Sequence, residues 1–115
     1  MSSYVKIGNI LFETLIAISQ EEQATGLMNK NWPPPIMSFV YASSRINKFW
    51  MANTPSPLDI LFCNNGKIIN ICYGEPFSIQ TIGSDNKSDL VVELPFGTCA
   101  KYNIAINDPV VLIKK

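Results

Sequence analysis

Histidine is absent from the 115 residues of this chain, and arginine occurs once, as Arg45. Without an imidazole there is no Ser-His or Cys-His nucleophilic pair, no His-ligated zinc site and no imidazole proton shuttle. Any catalysis falls to carboxylate, lysine, tyrosine or thiol chemistry. Charge is scarce as well: charged residues make up 16% of the chain, and nine Lys and Arg balance nine Asp and Glu. A surface that tracks phosphates needs clustered Arg and Lys, and no such run exists, so nucleic acid is not an expected partner. The Lys114-Lys115 end reads as a short solvated tail.

Long apolar runs are missing too. No stretch approaches the roughly 18 apolar residues of a membrane-spanning helix, so no membrane association is expected. The start, Met1-Ser2-Ser3-Tyr4-Val5-Lys6, does not read as a secretory leader, and the apolar run after it is broken by Glu13. Three cysteines, Cys63, Cys72 and Cys99, have neither CxxC nor metal-ligand spacing. They read as small buried hydrophobes in a reducing compartment, and a cytoplasmic location follows. No metal and no cofactor is expected.

What is present is apolar material in short pieces. Hydrophobic residues are 47% and aromatics 10%, which suits one packed domain over residues 1–115. Runs rich in Ile, Val, Phe and Tyr are punctuated by Gly, Pro and Asn, so the fold class is mainly β, a barrel or sandwich with two short helices. Strands are expected at Ile10–Ala17, Ile36–Tyr41, Lys48–Met51, Leu58–Cys63, Lys67–Tyr73, Phe77–Ile82, Leu90–Leu94 and Val110–Lys114. Ser19-Gln20-Glu21-Glu22 is a capping box that opens a helix running to about Met28, and Thr98 is a candidate cap for a second helix ending at Asn103. Gly26 is expected to end the first helix or to permit close packing.

The clearest hairpin is Leu58–Tyr73, where Asn65-Gly66 suits a type I′ turn. That turn sets an expected register of Cys63 with Ile68, Leu61 with Asn70 and Asp59 with Cys72. Ile60, Phe62, Ile69, Ile71 and Tyr73 then share the core face, and Asp59, Asn70 and Cys72 share the other.

Phe49-Trp50-Met51-Ala52-Asn53-Thr54-Pro55-Ser56-Pro57-Leu58-Asp59 is the densest segment chemically. It holds an aromatic platform, amide, hydroxyl and acid around one turn. The candidate ligand-binding residues are Trp50, Asn53, Thr54, Asp59, Asn70 and Glu93. This segment resembles the signature of domain-of-unknown-function family 192, a Phe-Trp-Met-x-Asn-Thr-x-x-Pro-Leu-Asp string. Gly26-Leu27-Met28, Gly66-Lys67-Ile68, Val92-Glu93-Leu94-Pro95-Phe96-Gly97 and Asn107-Asp108 are similar to its flanking motifs. Ala24, Thr25 and Ala52 stand where the family usually carries basic residues. The resemblance implies a compact, mostly β barrel or sandwich and no established activity.

Two further readings stand beside a binding module for a small polar ligand or peptide. One is a His-independent hydrolase using Asp59 and Glu93 as an acid–base pair, which requires the two carboxyls to share a site. The other is a structural or protein-interaction domain, monomeric or weakly dimeric, working through exposed strand edges. If Asp59 serves a ligand, Asp59→Ala is expected to abolish capture and spare the fold.

Overall fold

The computed structural model describes residues 2–113. Met1, the Lys114-Lys115 tail and the last residue of the expected final strand lie outside that range. Nine elements follow in chain order: β1 (Ser3–Ile7), β2 (Ile10–Ala17), α1 (Gln20–Thr25), β3 (Met37–Ile46), β4 (Leu58–Asn64), β5 (Lys67–Gly74), β6 (Lys87–Pro95), α2 (Thr98–Tyr102) and β7 (Val110–Ile113). The strands form one sheet in the order β5-β4-β6-β3-β2-β1-β7. All pairings are antiparallel except β2 with β3, whose crossover carries α1 and the triple proline.

The sheet curls into a half-barrel, and its two edge strands meet at one point. Lys67 at the start of β5 bridges Pro109 just before β7. Ile68 N–H donates to the Asp108 carbonyl at 3.0 Å, and Val110 N–H donates to Gly66 at 2.9 Å. Edge amides that would otherwise invite another chain are partly satisfied in this way.

Curling gives the sheet two buried faces. On the concave side Val5, Ile7, Leu61, Ile68, Val92, Leu94 and Val110 join strands from both edges of the sheet. On the convex side Phe39, Leu58, Ile60, Phe62 and Val91 are covered by Met51 and Leu27, which come from the loops around the sheet. β4 is therefore buried on both faces from Leu58 to Cys63, which explains its apolar run from Ile60 to Cys63.

The Asn65-Gly66 turn has positive φ at both residues, 52° and 79°, as a type I′ turn requires. Cys63 pairs with Ile68 as expected, but the register then shifts, and Phe62 pairs with Asn70. Ile69 is the extra residue of a β-bulge. Beyond it Leu61 faces Ile71 instead of Asn70, and Asp59 faces Tyr73 instead of Cys72. A one-residue slip exchanges faces, so Asn70 and Cys72 move to the side of Phe62 and Ile60.

Two expected strands do not form. Phe49 and Ile82 make a single antiparallel bridge, and the rest of Lys48–Met51 and Phe77–Ile82 is irregular. Asn53 in the left-handed region at φ 56° and the prolines after it stop the first segment, and Ile79 is 75% exposed, so the second buries no alternating face. β1 was not expected, although Gly8-Asn9 between two apolar runs is a hairpin signal. The first helix stops at Thr25, short of Met28, because Gly26 ends it at φ 48°.

Candidate small-ligand pocket

Asp59 lies near the start of β4, paired with Leu94 of β6. Its Oδ2 accepts hydrogen bonds from Gly97 N–H at 3.1 Å and Cys99 N–H at 3.0 Å. Those amides belong to the first turn of α2, which has no side-chain cap from its own N-cap residue, Gly97. Asp59 supplies that cap from another strand. Thr98, the residue expected to cap the helix, instead donates its hydroxyl to the Pro95 carbonyl at 2.6 Å. Burial, the Asp59 carboxylate and the hydrogen bond to it push the Cys99 thiol up to about 12, and burial with the charge of Asp89 does the same to Cys63. Neither is a reactive thiol.

Glu93 precedes Leu94 on β6, so it points to the opposite, convex face. Its neighbours across the sheet are Ile60 on β4 and Met37 on β3. The residue is 4% exposed, and among the described residues its carboxyl has no hydrogen-bond partner. No side-chain polar atom among them is both fully buried and unpartnered, so the carboxyl oxygens open into a cavity that Glu93 lines. Burial pushes its pKa up to about 8. At neutral pH the group is therefore mostly a protonated acid.

Above Glu93 lies a pocket of about 330 Å³. One wall is α1, whose capping box is complete: Glu22 N–H donates to Ser19 Oγ, and Ser19 N–H donates back to Glu22 Oε1. Gln23 ties this helix to the sheet, its Nε2 donating to the carbonyls of Ala17 and Val40 at 3.2 and 3.1 Å. Gly26 brings the chain close over the Phe39 ring.

The facing wall comes from an irregular stretch of β3. Val40 pairs with Leu90 and Arg45 with Ser88, so four residues of β3 oppose Asp89 alone. The bulge carries Tyr41 to the pocket and delivers Arg45 beside it, a use of bulges to re-aim side chains. The Arg45 guanidinium stacks over the Tyr41 ring at 4.6 Å, and its Nε donates to Asn47 Oδ1 at 2.9 Å. Asn47 is buried, and its Nδ2 donates to Ser88 Oγ at 2.7 Å and to the Ser88 carbonyl at 3.0 Å. Arg45 is thus held in place without a carboxylate partner among the described residues. Burial pushes the Tyr41 phenol up to about 12; nearby Arg45 opposes the rise, and Glu93 adds to it.

The rim is completed by Lys48, Trp50, Met51 and Thr54. Met51 packs onto Gly74, where a Cβ would stand 2.8 Å from its sulfur, so glycine there lets the loop sit flat on β5. Lys48 pairs with Asp85 at 3.3 Å on the surface.

The sequence-derived candidates divide evenly. Trp50, Thr54 and Glu93 line the pocket. Thr54 is buried and donates its hydroxyl to the Ala52 carbonyl, whereas Trp50 is 56% exposed at the rim. The other three stand elsewhere. Asn53 shapes the turn, its carbonyl accepting from Asn29 N–H at 2.8 Å. Asn70 lies on β5, donating to Cys72 Sγ at 3.5 Å. Asp59 faces the concave side. The expected acid pair is corrected accordingly: Asp59 and Glu93 lie on opposite faces of one sheet and cannot act together on one substrate. The sequence reading missed Gln23, Tyr41, Arg45 and Asn47. The solitary arginine was the available signal, read only as an argument against nucleic acid.

Comparison with known proteins agrees with this architecture. A protein of unknown function from Novosphingobium aromaticivorans DSM 12444 superposes with a TM-score of 0.85 at 27% identity, covering 96% of this chain and 84% of that one. A proposed transcription regulator from Sinorhizobium meliloti 1021 superposes with a TM-score of 0.89 at 26% identity, covering 97% of this chain and 94% of that one. No curated protein matches. No helix among the described residues is long and apolar enough to cross a membrane. The family model for DUF192, described as an uncharacterized ACR, matches residues 4–112, and the chain belongs to that family.

Proposed function

We propose that this domain is a binding module for a small polar molecule held in the pocket over Glu93. The observation that carries the reading is a buried carboxyl with no protein donor at the floor of a preformed cavity. The carboxyl oxygens are reached from the cavity and not by any protein donor among the described residues, so whatever enters the cavity supplies their donors. A ligand donor completes the group. Arg45, fixed by Asn47 and Tyr41, adds a second polar contact in a lining that mixes aromatic and aliphatic side chains with polar ones, which suits a small polar ligand.

The name of the Sinorhizobium relative raises transcription regulation. For this chain such a role would run through ligand sensing, since its only arginine is engaged at the pocket and its net charge is zero. The cytoplasmic location belongs to the same proposal and rests on three free cysteines.

Saturation-transfer NMR with a panel of amino acids, sugars, nucleosides and dicarboxylates tests the reading. At least one class is expected to bind saturably and to lose binding in Glu93→Leu, with the fold intact by circular dichroism. Absence of saturable binding by every class up to about 10 mM, beyond the millimolar scale of weak metabolite sites, overturns it.

A further inference from the structure

We infer that the pocket takes a small zwitterion, its ammonium seated on the Glu93 carboxyl and its carboxylate on the Arg45 guanidinium. This assignment rests on the binding reading above and narrows it to one ligand class, free amino acids.

Three observations lead there. Glu93 lacks donors from the protein, and an ammonium brings three in a compact group. Arg45 lacks a carboxylate among the described residues, although Asn47 and Tyr41 hold it still, so its charge is free for a planar anion. The two groups do not neutralise each other: no ion pair joins them, and Tyr41, under the guanidinium, feels the charge of both. A ligand with one charge of each sign answers both at once. A lone anion would leave Glu93 without a donor, and a lone amine would leave Arg45 open.

The other titratable or charged groups around Glu93 are few. Tyr41 and Arg45 face it from β3, Lys48 stands on the following loop, and Cys72 lies on the same face of β5, across Ile60. The α1 wall contributes only neutral side chains to the lining, Gln20, Gln23, Ala24 and Thr25. Because Glu93 is mostly protonated at neutral pH, seating an ammonium ionises it, and a proton leaves for solvent. Affinity then rises about tenfold per pH unit between pH 6 and 7 and levels off above about 8.

The test is calorimetry at pH 7 in buffers of different ionisation enthalpy. The probes are the standard amino acids and 4-aminobutanoate, against matched hydroxy acids that lack the amine and alkylamines that lack the carboxylate. At least one amino acid is expected to bind with release of close to one proton, and its hydroxy acid and alkylamine at least tenfold more weakly. Glu93→Gln, close in shape and unable to ionise, is expected to lose both the affinity and the proton release while unfolding no earlier than wild type. Arg45→Gln is expected to weaken the amino acid about tenfold and leave the alkylamine unchanged. Equal binding of a hydroxy acid, or binding without proton release, overturns the zwitterion. Binding confined to sugars or nucleosides also overturns it but leaves the pocket reading standing, whereas no binding by any class removes both.

Discussion

Asp59 and Glu93 are almost equally hidden from water, 7% and 4% exposed, and occupy neighbouring strands, yet only one has its partners. Asp59 turns to the concave side and accepts two amide N–H groups from the first turn of α2. Glu93 turns to the convex side and accepts none among the described residues, and burial alone pushes it up to about 8. Burial therefore does not separate an acid that builds the fold from one that awaits a ligand. The count of donors does.

The largest expected consequence is a dependence of stability on pH. The folded pKa of Glu93 lies above its ordinary value near 4.5. Below about pH 4.5 both states hold the proton, and the full stability is present. As pH rises, the unfolded chain releases its proton first. Stability then falls by about 1.4 kcal/mol per pH unit until the folded group also ionises, near pH 8. Urea denaturation of Glu93→Gln is expected to lack this component and to exceed wild type by several kcal/mol at pH 8. Equal slopes for the two proteins would put Glu93 on the same footing as Asp59.

Next in size is Asp59→Ala, which orphans two amides at a helix start and is expected to cost about 3 kcal/mol. In a variant that still folds, binding at the pocket is expected to persist, the reverse of what the sequence alone suggested. Asn47→Ala is expected to cost about 2 kcal/mol, because Ser88 loses its partners, and to weaken binding although Arg45 remains. Ser19→Ala opens the capping box of α1 and is expected to cost about 1 kcal/mol, loosening only the pocket wall. Thermal denaturation and ligand titration of each variant rank these effects.

Much of the fold could be read from local chemistry. The Asn65-Gly66 turn, the capping box from Ser19 to Glu22 and the strand Ile10–Ala17 stand where turn, cap and periodicity rules place them. The mainly β class and the family followed from the same residues. The site was less legible, because two bulges decide it. One extra residue at Ile69 turns Asn70 and Cys72 to the other face, and the looped-out stretch after Val40 brings Tyr41 and Arg45 to the pocket. Neither bulge carries a glycine or proline that would announce it. The polar turn around Asn53 stands beside Asp59 in sequence, whereas the acid's partners, the amides of Gly97 and Cys99, lie about forty residues on. Long-range pairing of that kind is fixed by the curl of the sheet.

The most direct test of the contrast is the titration of the Glu93 side-chain carboxyl carbon by 13C NMR in the unliganded protein. A midpoint near 8 is the expected result, moving well below that when a bound ammonium ionises the group. A midpoint near the ordinary 4.5 in the free protein would mean that Glu93 is already satisfied, and the account of a carboxyl waiting for a donor would be wrong.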